Sequence, residues 1–446
     1  MPLNEPETSL ISRRSLLRGG LSLTAAAGAG PLLSACSGGS GSSDGVAADG
    51  TVTITMWHGQ ADQGKATLDK LVADFQRRNR KIKVNASSGG VLADSMLQKI
   101  TTALSSGQYP DIAYIFGPDI ASVARSPQVA HLGKFTKEPS LRWDDFYPAA
   151  RDAVTVDGEA RGFPALVDNL CVAYNKKVFK AAGVPEPTAS WSWDDFVATA
   201  RSLTNPSQGV FGTGWPADGG EDCVWRIYPM IWDAGGDIVN KDGTKVAFDG
   251  DSGLQALTTI NQLGKDKSVY PDTKPGSETM YQIFSNNKMG MVATGPWQLP
   301  DFVDNKTEYG VVPLPTYNGN PVTIAGPDTW TVFDNGSARV EAAVKFLTFL
   351  TNGAQDVQWA SQAGSLPLRN STAESTLWKR HVSSTTGLDV FSQALGYART
   401  RPTIPTYPKI SQPLGQAIVK MLLDKATPQD ALDEAVQTAN AALATG

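Results

Sequence analysis

The sequence predicts an α/β fold in two lobes, on three observations. Strand-like and helix-like periods alternate from Thr51 onward. The composition is that of a globular chain, 41% hydrophobic and 19% charged. A length of 446 residues exceeds what one hydrophobic core organises and suits two bodies of ordinary domain size.

"TVTITMW", Thr51 to Trp57, is β-branched with period two and predicts a strand. "ADQGKATLDKLVADFQRRN" then sets Leu68, Leu71, Val72 and Phe75 on one apolar helical face. "KIKVNAS" predicts a second strand, and "DSMLQKITTALSSG" a second helix that buries Leu97, Ile100 and Leu104. "PDIAYIF", Pro110 to Phe116, predicts a third strand. Such βαβ alternation implies a parallel sheet covered on both faces by helices. Ligands gather at the carboxyl ends of strands in such sheets, where Trp57, His58, Phe116 and Asp119 fall. Farther on, Ser192 and Asp195 predict a capping-box start for a helix that turns Phe196, Ala200 and Leu203 inward. "MIWDAGGDIVNKDGTKVAF" reads as a helix end at Gly235-Gly236 and a hairpin around Asp242-Gly243. "EAAVKFLTFLTN" puts Ala343, Phe346, Leu347 and Leu350 on one face. The "WDD" triplets at Trp143 and Trp193 stand at helix starts, where capping is the expected use of their acids.

Ahead of these elements come "SRRSLLRGG" and "LSLTAAAGAGPLLSAC": a basic segment, an apolar run and small residues, the order of an export signal. Gly28, Gly30 and Pro31 break the apolar run, which is too short and weak to span a membrane. Arg13-Arg14 resembles a twin-arginine signal. Leu33-Ser34-Ala35-Cys36 resembles the lipobox of bacterial lipoproteins, in which the cysteine is lipidated and becomes the new N-terminus. Residues 1–35 are thus expected to be a signal peptide and residues 36–50 a flexible tether, with Cys36 as the membrane anchor. The plain alternative is an ordinary secretory signal with an incidental cysteine.

A formal charge of −5 and a pI near 5.4 argue against nucleic acid or anionic lipid as partner. The one dense basic cluster, "QRRNRKIK", ends a helix and complements its dipole. Cys171 and Cys223 are the remaining cysteines; an oxidising compartment permits their pairing, and the sequence leaves it open. His58, His131 and His381 lie far apart, so no histidine-based metal centre is expected, and no cofactor. Phosphate-cradle and serine-elbow motifs are absent.

Several segments then carry a resemblance: "VDGEARGFPALVDNLCVAYNKKVFKAAGV", "WSWDDFVATARSLT", "DAGGDIVNKDGTKVAFDGDSGLQAL", "FSNNKMGMVATGPW", "YGVVPLP" and "EAAVKFLTFLT…GSLPLRNS". In order and spacing the chain resembles the family 1 extracellular solute-binding proteins, the maltose-binding-protein-like receptors of ABC importers. The resemblance implies a periplasmic-binding-protein fold, type II-like. Its two α/β lobes are discontinuous in sequence and hinge over a ligand cleft. The implied crossings lie near Asp168 to Leu170, near Thr323 to Gly326, and after "LPLRNS". They give a first lobe of 51–168 plus 324–369 and a second of 169–323 plus 370–446.

A sugar offers apolar ring faces and a rim of hydroxyls, so its receptor needs aromatic platforms and planar polar side chains. By resemblance, Trp297 of "TGPWQ" faces the cleft, Trp57, His58, Gln60 and Asp62 follow the first strand as solute contacts, and Asp168 is the acidic residue of the hinge, with Asn169 beside it. Trp330 and Asp328 follow the second crossing; Glu221, Asp222, Trp225 and Arg226 are second-lobe candidates; Arg369 and Tyr407 belong to late segments that line the cleft in relatives. The expected function is a lipid-anchored, monomeric, non-enzymatic receptor handing a sugar or oligosaccharide to an importer permease. A glycerol-phosphodiester or other polyol is the alternative solute. An anchored glycoside hydrolase, which needs a carboxylate pair at fixed separation, and a wall-binding protein without transport are the competing classes.

Overall fold

The computed structural model describes residues 45–445 apart from 61, 91, 92, 275 and 277. The export signal, the lipobox with Cys36 and most of the tether lie outside the described residues.

Two five-stranded sheets organise the chain. In the first, β1 (Val52–His58) runs parallel to β2 (Ile82–Ser88) and β3 (Ile112–Ile115). A small hairpin of β4 (Thr155–Val156) and β5 (Glu159–Ala160) precedes β6 (Gly162–Leu166), which closes this sheet. The chain then crosses into the second sheet. Its strands are β7 (Cys171–Asn175), β8 (Phe211–Pro216), β9 (Val269–Asp272), β10 (Met289–Thr294) and β11 (Tyr309–Val312), ordered β11-β7-β10-β8-β9. It returns through β12 (Thr323–Ala325), and β13 (Asp328–Val332) inserts between β3 and β6. Last, β14 (Ala398–Thr400) pairs with β12 in a two-stranded sheet. The expectation of a wholly parallel sheet is corrected: β13 runs antiparallel to both neighbours, because it arrives from the other lobe and not through a βαβ crossover.

The helices cover these sheets with the faces their periodicity dictates. Helix Asp62–Arg78 buries Leu68, Leu71, Val72 and Phe75. Helix Trp193–Leu203 begins with a complete Ser192/Asp195 capping box and buries Phe196, Ala200 and Leu203. Helix Ala93–Ser106 is rotated from expectation, burying Met96, Ile100 and Ala103 while Leu97 and Leu104 stay half-buried. Trp143–Asp145 is a short 3-10 turn without a side-chain cap. Asp145 accepts instead from the amide (3.0 Å) and hydroxyl (2.6 Å) of distant Ser371, so its acid is a tertiary tie.

One apolar cluster fills the first lobe. It continues through Trp378, Leu388 and Phe391 onto Cys171 and Ala173 of the second sheet. A second cluster, with Val172, Tyr174, Phe196, Trp215 and Ile260, fills the remainder of the second lobe. The lobes therefore share an apolar seam through residues 376–394. Cys171 and Cys223 belong to different clusters and are free, buried thiols, and burial pushes both well above the usual thiol range. Among the described residues no helix is long and apolar enough to cross a membrane.

Candidate functional site

The crossings bring together segments far apart in sequence. Asp168 and Gly326 stand side by side on the first two crossings, where the Gly326 amide donates to the Asp168 backbone carbonyl (3.0 Å). A Cβ on Gly326 would lie 2.5 Å from Asp168 Oδ1 and 2.9 Å from Trp225 Cζ2, so glycine is what lets the carboxyl and the indole edge both close on this crossing. Asp168 Oδ1 and Trp225 Nε1 are both buried without a hydrogen-bond partner. From the first lobe, Asp328 accepts from the Tyr114 hydroxyl (2.5 Å) and the Gly117 amide (2.7 Å). Gln60 reaches the same Tyr114 hydroxyl.

From the second lobe, Trp225 stacks on Trp297 with ring centroids 5.6 Å apart and planes 30° from parallel. Trp297 is held from behind. Arg226 donates to the Tyr281 hydroxyl (3.1 Å), which is hydrogen-bonded to Trp297, and to Ala293 O (3.1 Å) and Asp222 Oδ1 (2.5 Å). Gly364, at φ +67°, lets a first-lobe helix end abut the Trp297 backbone. Between the lobes stands Arg401. Its guanidinium donates to Glu221 Oε1 (2.9 Å) and lies 5.5 Å from the Trp225 ring centroid. Tyr407 donates to the same Glu221 oxygen (2.7 Å) and touches the Tyr228 hydroxyl (3.0 Å).

Burial dominates the electrostatics. It pushes Asp168 well above the usual carboxylate range, with the Asp328 charge adding to the effect. Burial raises Asp328 to about 6 despite its Tyr114 bond, and raises Glu221 against the pull of Arg401. Burial works against the charge on Arg401, but Glu221, Tyr407 and Asp328 outweigh it. Beyond this cluster opens a cavity of about 330 Å³, lined by Asp119 and Pro118 of the first lobe and by Glu221, Tyr407, Gln412 and Gln416, among others, of the second. That volume is at the small end of ligand pockets. Among the described residues no group of three or more His, Cys, Asp or Glu side chains is placed to hold a metal.

The family model for bacterial extracellular solute-binding proteins matches residues 59–356. The chain belongs to that family. The maltooligosaccharide ABC transporter solute-binding lipoprotein of Streptococcus pneumoniae is 25% identical over 347 residues, covering 75% of this chain and 77% of that one. The sn-glycerol-3-phosphate-binding periplasmic protein of Pectobacterium atrosepticum is 22% identical over 424 residues, covering 89% and 92%. The crystal structure of the cyclic α-maltosyl-1,6-maltose binding protein of Arthrobacter globiformis superposes with a TM-score of 0.76 at 27% identity, covering 89% of this chain and all of that one.

In this solute-binding protein, Gln60, Asp168, Trp225, Trp297 and Asp328 converge at the crossings, with Glu221 and Tyr407 beside them and Asp222 behind through Arg226. Asp119 is buried along the cavity wall. Phe116 packs edge-on against Tyr114 (5.1 Å), and Trp57 holds Lys99 Nζ 4.1 Å from its ring centroid. Asp62 begins a helix, but its side chain is outside those described.

Two expectations are corrected, those for Trp330 and Arg369; His58 and Asn169 are fully buried but each keeps one unpaired polar atom, Nε2 and Oδ1. Trp330 is fully buried in the first-lobe core against Tyr114 and Trp359, past a register shift of β13 between Asp328 and Thr329. His58 is fully buried on the same side of β1 as Ile54 and Met56, near Asp69 and Lys65 of the covering helix, and accepts from the Gln60 amide (3.2 Å). Arg369 is spent on Thr351 and Arg142 carbonyls and on the Phe146 ring, all in the first lobe. Asn169 is fully buried and donates to Phe391 O (2.8 Å), tying the crossing to the apolar seam.

Sequence reasoning missed Tyr114, Tyr228, Tyr281, Gly326 and Arg401. Nothing in "YARTRPTIP" separates Arg401 from Arg399, whose guanidinium meets Asp237 (3.0 Å) as a half-exposed pair. The tyrosines read as ordinary core residues and are buried; only their hydroxyls join the site.

Proposed function

We propose that this protein is a sugar receptor of an ABC importer, capturing a neutral, hydroxyl-rich ring or short oligosaccharide between its lobes and delivering it to the permease. One observation carries the reading: a buried unpaired acceptor, Asp168 Oδ1, and the indole of Trp225, whose Nε1 is a buried unpaired donor, both border Gly326. Hydroxyls both donate and accept, so a sugar rim can satisfy both atoms, each of which is costly to leave unmet. The stacked indoles of Trp225 and Trp297 suit an apolar ring face. The relatives named for maltooligosaccharide and for cyclic maltosyl-maltose binding agree with this chemistry. The glycerol-3-phosphate-binding relative favours a phosphate-bearing solute, but Arg226 and Arg401 are each already engaged by a carboxylate. Micromolar affinity, about 8 kcal/mol, suits a carrier that must release its cargo. Binding favours closure only through tighter contact in the closed state.

The protein acts without chemistry on its solute, as a monomer, tethered by a lipidated Cys36 after twin-arginine export. The lipoprotein relative supports the anchor. Incubation with neutral oligosaccharides and with sn-glycerol-3-phosphate tests the reading. A rise in melting temperature with the sugars and without cleavage products is expected. Released fragments would establish a hydrolase, and a shift with the phosphate alone would overturn the sugar assignment. Cys36→Ser should release the protein into the medium; retention at the membrane would refute lipid anchoring.

A further inference from the structure

The aromatic platform and the cavity are lined by different residues. The cavity of about 330 Å³ is walled by Glu221 and Tyr407, while Asp168, Trp225, Trp297 and Arg401 take no part in its lining. What lies between is the Arg401–Glu221 pair, 2.9 Å apart, with side chains only 10% and 14% exposed. On its far side the Arg401 guanidinium rests against Gly117 of the first lobe, where an added Cβ would fall 2.8 Å from Nη2. On its near side it overlies Trp225 at 5.5 Å from the centroid, within reach of a cation–π contact.

We infer that Arg401 and Glu221 form a partition that sets the length of the solute. This rests on the sugar reading of the cleft and deepens it. The ring held by Asp168 and Trp225 ends against the guanidinium, and a longer chain cannot run on into the cavity lined by Asp119, Gln412 and Gln416. The pair is well suited to the role. Tyr407 fixes Glu221 from the second lobe, and the carboxyl of Asp328 adds to the attraction holding Arg401 in place. Removing one partner alone leaves a buried charge unpaired, so the two must be changed together.

The experiment measures affinity by calorimetry for glucose oligomers of one to five rings, in α-1,4 and β-1,4 series, with the parent, with Arg401→Lys, and with Arg401→Ser combined with Glu221→Ser. The parent and the lysine variant should stop gaining affinity once the platform is filled. In the double variant, the ratio of four-ring to two-ring affinity should exceed the parent's by about tenfold. Should that variant not fold, Arg401→Met with Glu221→Gln keeps the volume without the charges and should raise the ratio about threefold. An unchanged length profile in the double variant, or a parent whose affinity already climbs to five rings, overturns the partition and leaves the sugar reading standing. Failure of the parent to bind any oligomer overturns both.

Discussion

Two buried arginines, one in each half of the story, differ in a way that burial alone does not reveal. Arg369 is 3% exposed, and all three of its guanidinium nitrogens are engaged, on Thr351 O, Thr351 Oγ1 and Arg142 O, with its plane 3.6 Å from the Phe146 ring centroid. Nearby Asp356 accepts the Leu368 amide with both oxygens (3.2 Å each). No buried polar atom of either residue lacks a partner. Arg401 is similarly enclosed and similarly paired, yet the atoms around it are not complete: Asp168 Oδ1 and Trp225 Nε1 have nothing to bond. A folded chain seldom leaves such atoms unmet. A satisfied network spends its hydrogen bonds on the fold. An unsatisfied one at a lobe crossing is, on the proposed reading, completed by the solute.

The same contrast divides the tryptophans, and mutation can break it. Trp330→Ala empties a fully buried core position and should cost about 3–5 kcal/mol in urea unfolding, while the folded fraction binds solute as the parent does. Arg369→Met should cost about 3 kcal/mol by leaving the buried Thr351 carbonyl and the Arg142 carbonyl without their donor, again with affinity unmoved. Trp297→Ala should reverse the pattern, weakening solute binding about a hundredfold in calorimetry with little change in unfolding, since its ring is partly exposed. If Arg369→Met weakened binding as Trp297→Ala does, the division into spent and unspent networks would fail.

Asp168→Asn sharpens the comparison. The amide keeps the shape but replaces a carboxyl that burial holds well above its usual range, so stability should hold or rise near neutral pH while binding weakens about tenfold. The smallest effect is that of pH. Burial raises Asp356 to about 7 and Asp328 to about 6. The folded state therefore binds more protons than the unfolded one between about pH 4 and pH 7, and stability from these groups falls as pH rises through that window. Denaturation midpoints across the window should decline for the parent and decline less for Asp356→Asn between about pH 6 and pH 7. A midpoint that rises through that interval would refute the assignment.

The helix faces were readable because a helix repeats: Leu68, Leu71, Val72 and Phe75 fall inward by spacing alone, and Ser192 with Asp195 announces its own cap. Where expectation slipped, the cause was tertiary. Helix Ala93–Ser106 turned by about one position to bury Met96, and β13 entered its sheet against the parallel direction because the chain had come back from the other lobe. Trp330 shares with Trp297 a Gly-Pro setting, and only the place of β13 between β3 and β6 puts it in the core.

By itself, then, the sequence determined the alternation of strands and helices, their buried faces, the acidic balance and the order of segments that marks the family, since each is written in neighbours a few residues apart. The tertiary structure alone decided which polar atoms would be left over. Asp168, Glu221, Asp328 and Arg401 meet only because three passes of the chain run together at one hinge, and a hydrogen bond depends on ångströms in space that no local spacing encodes.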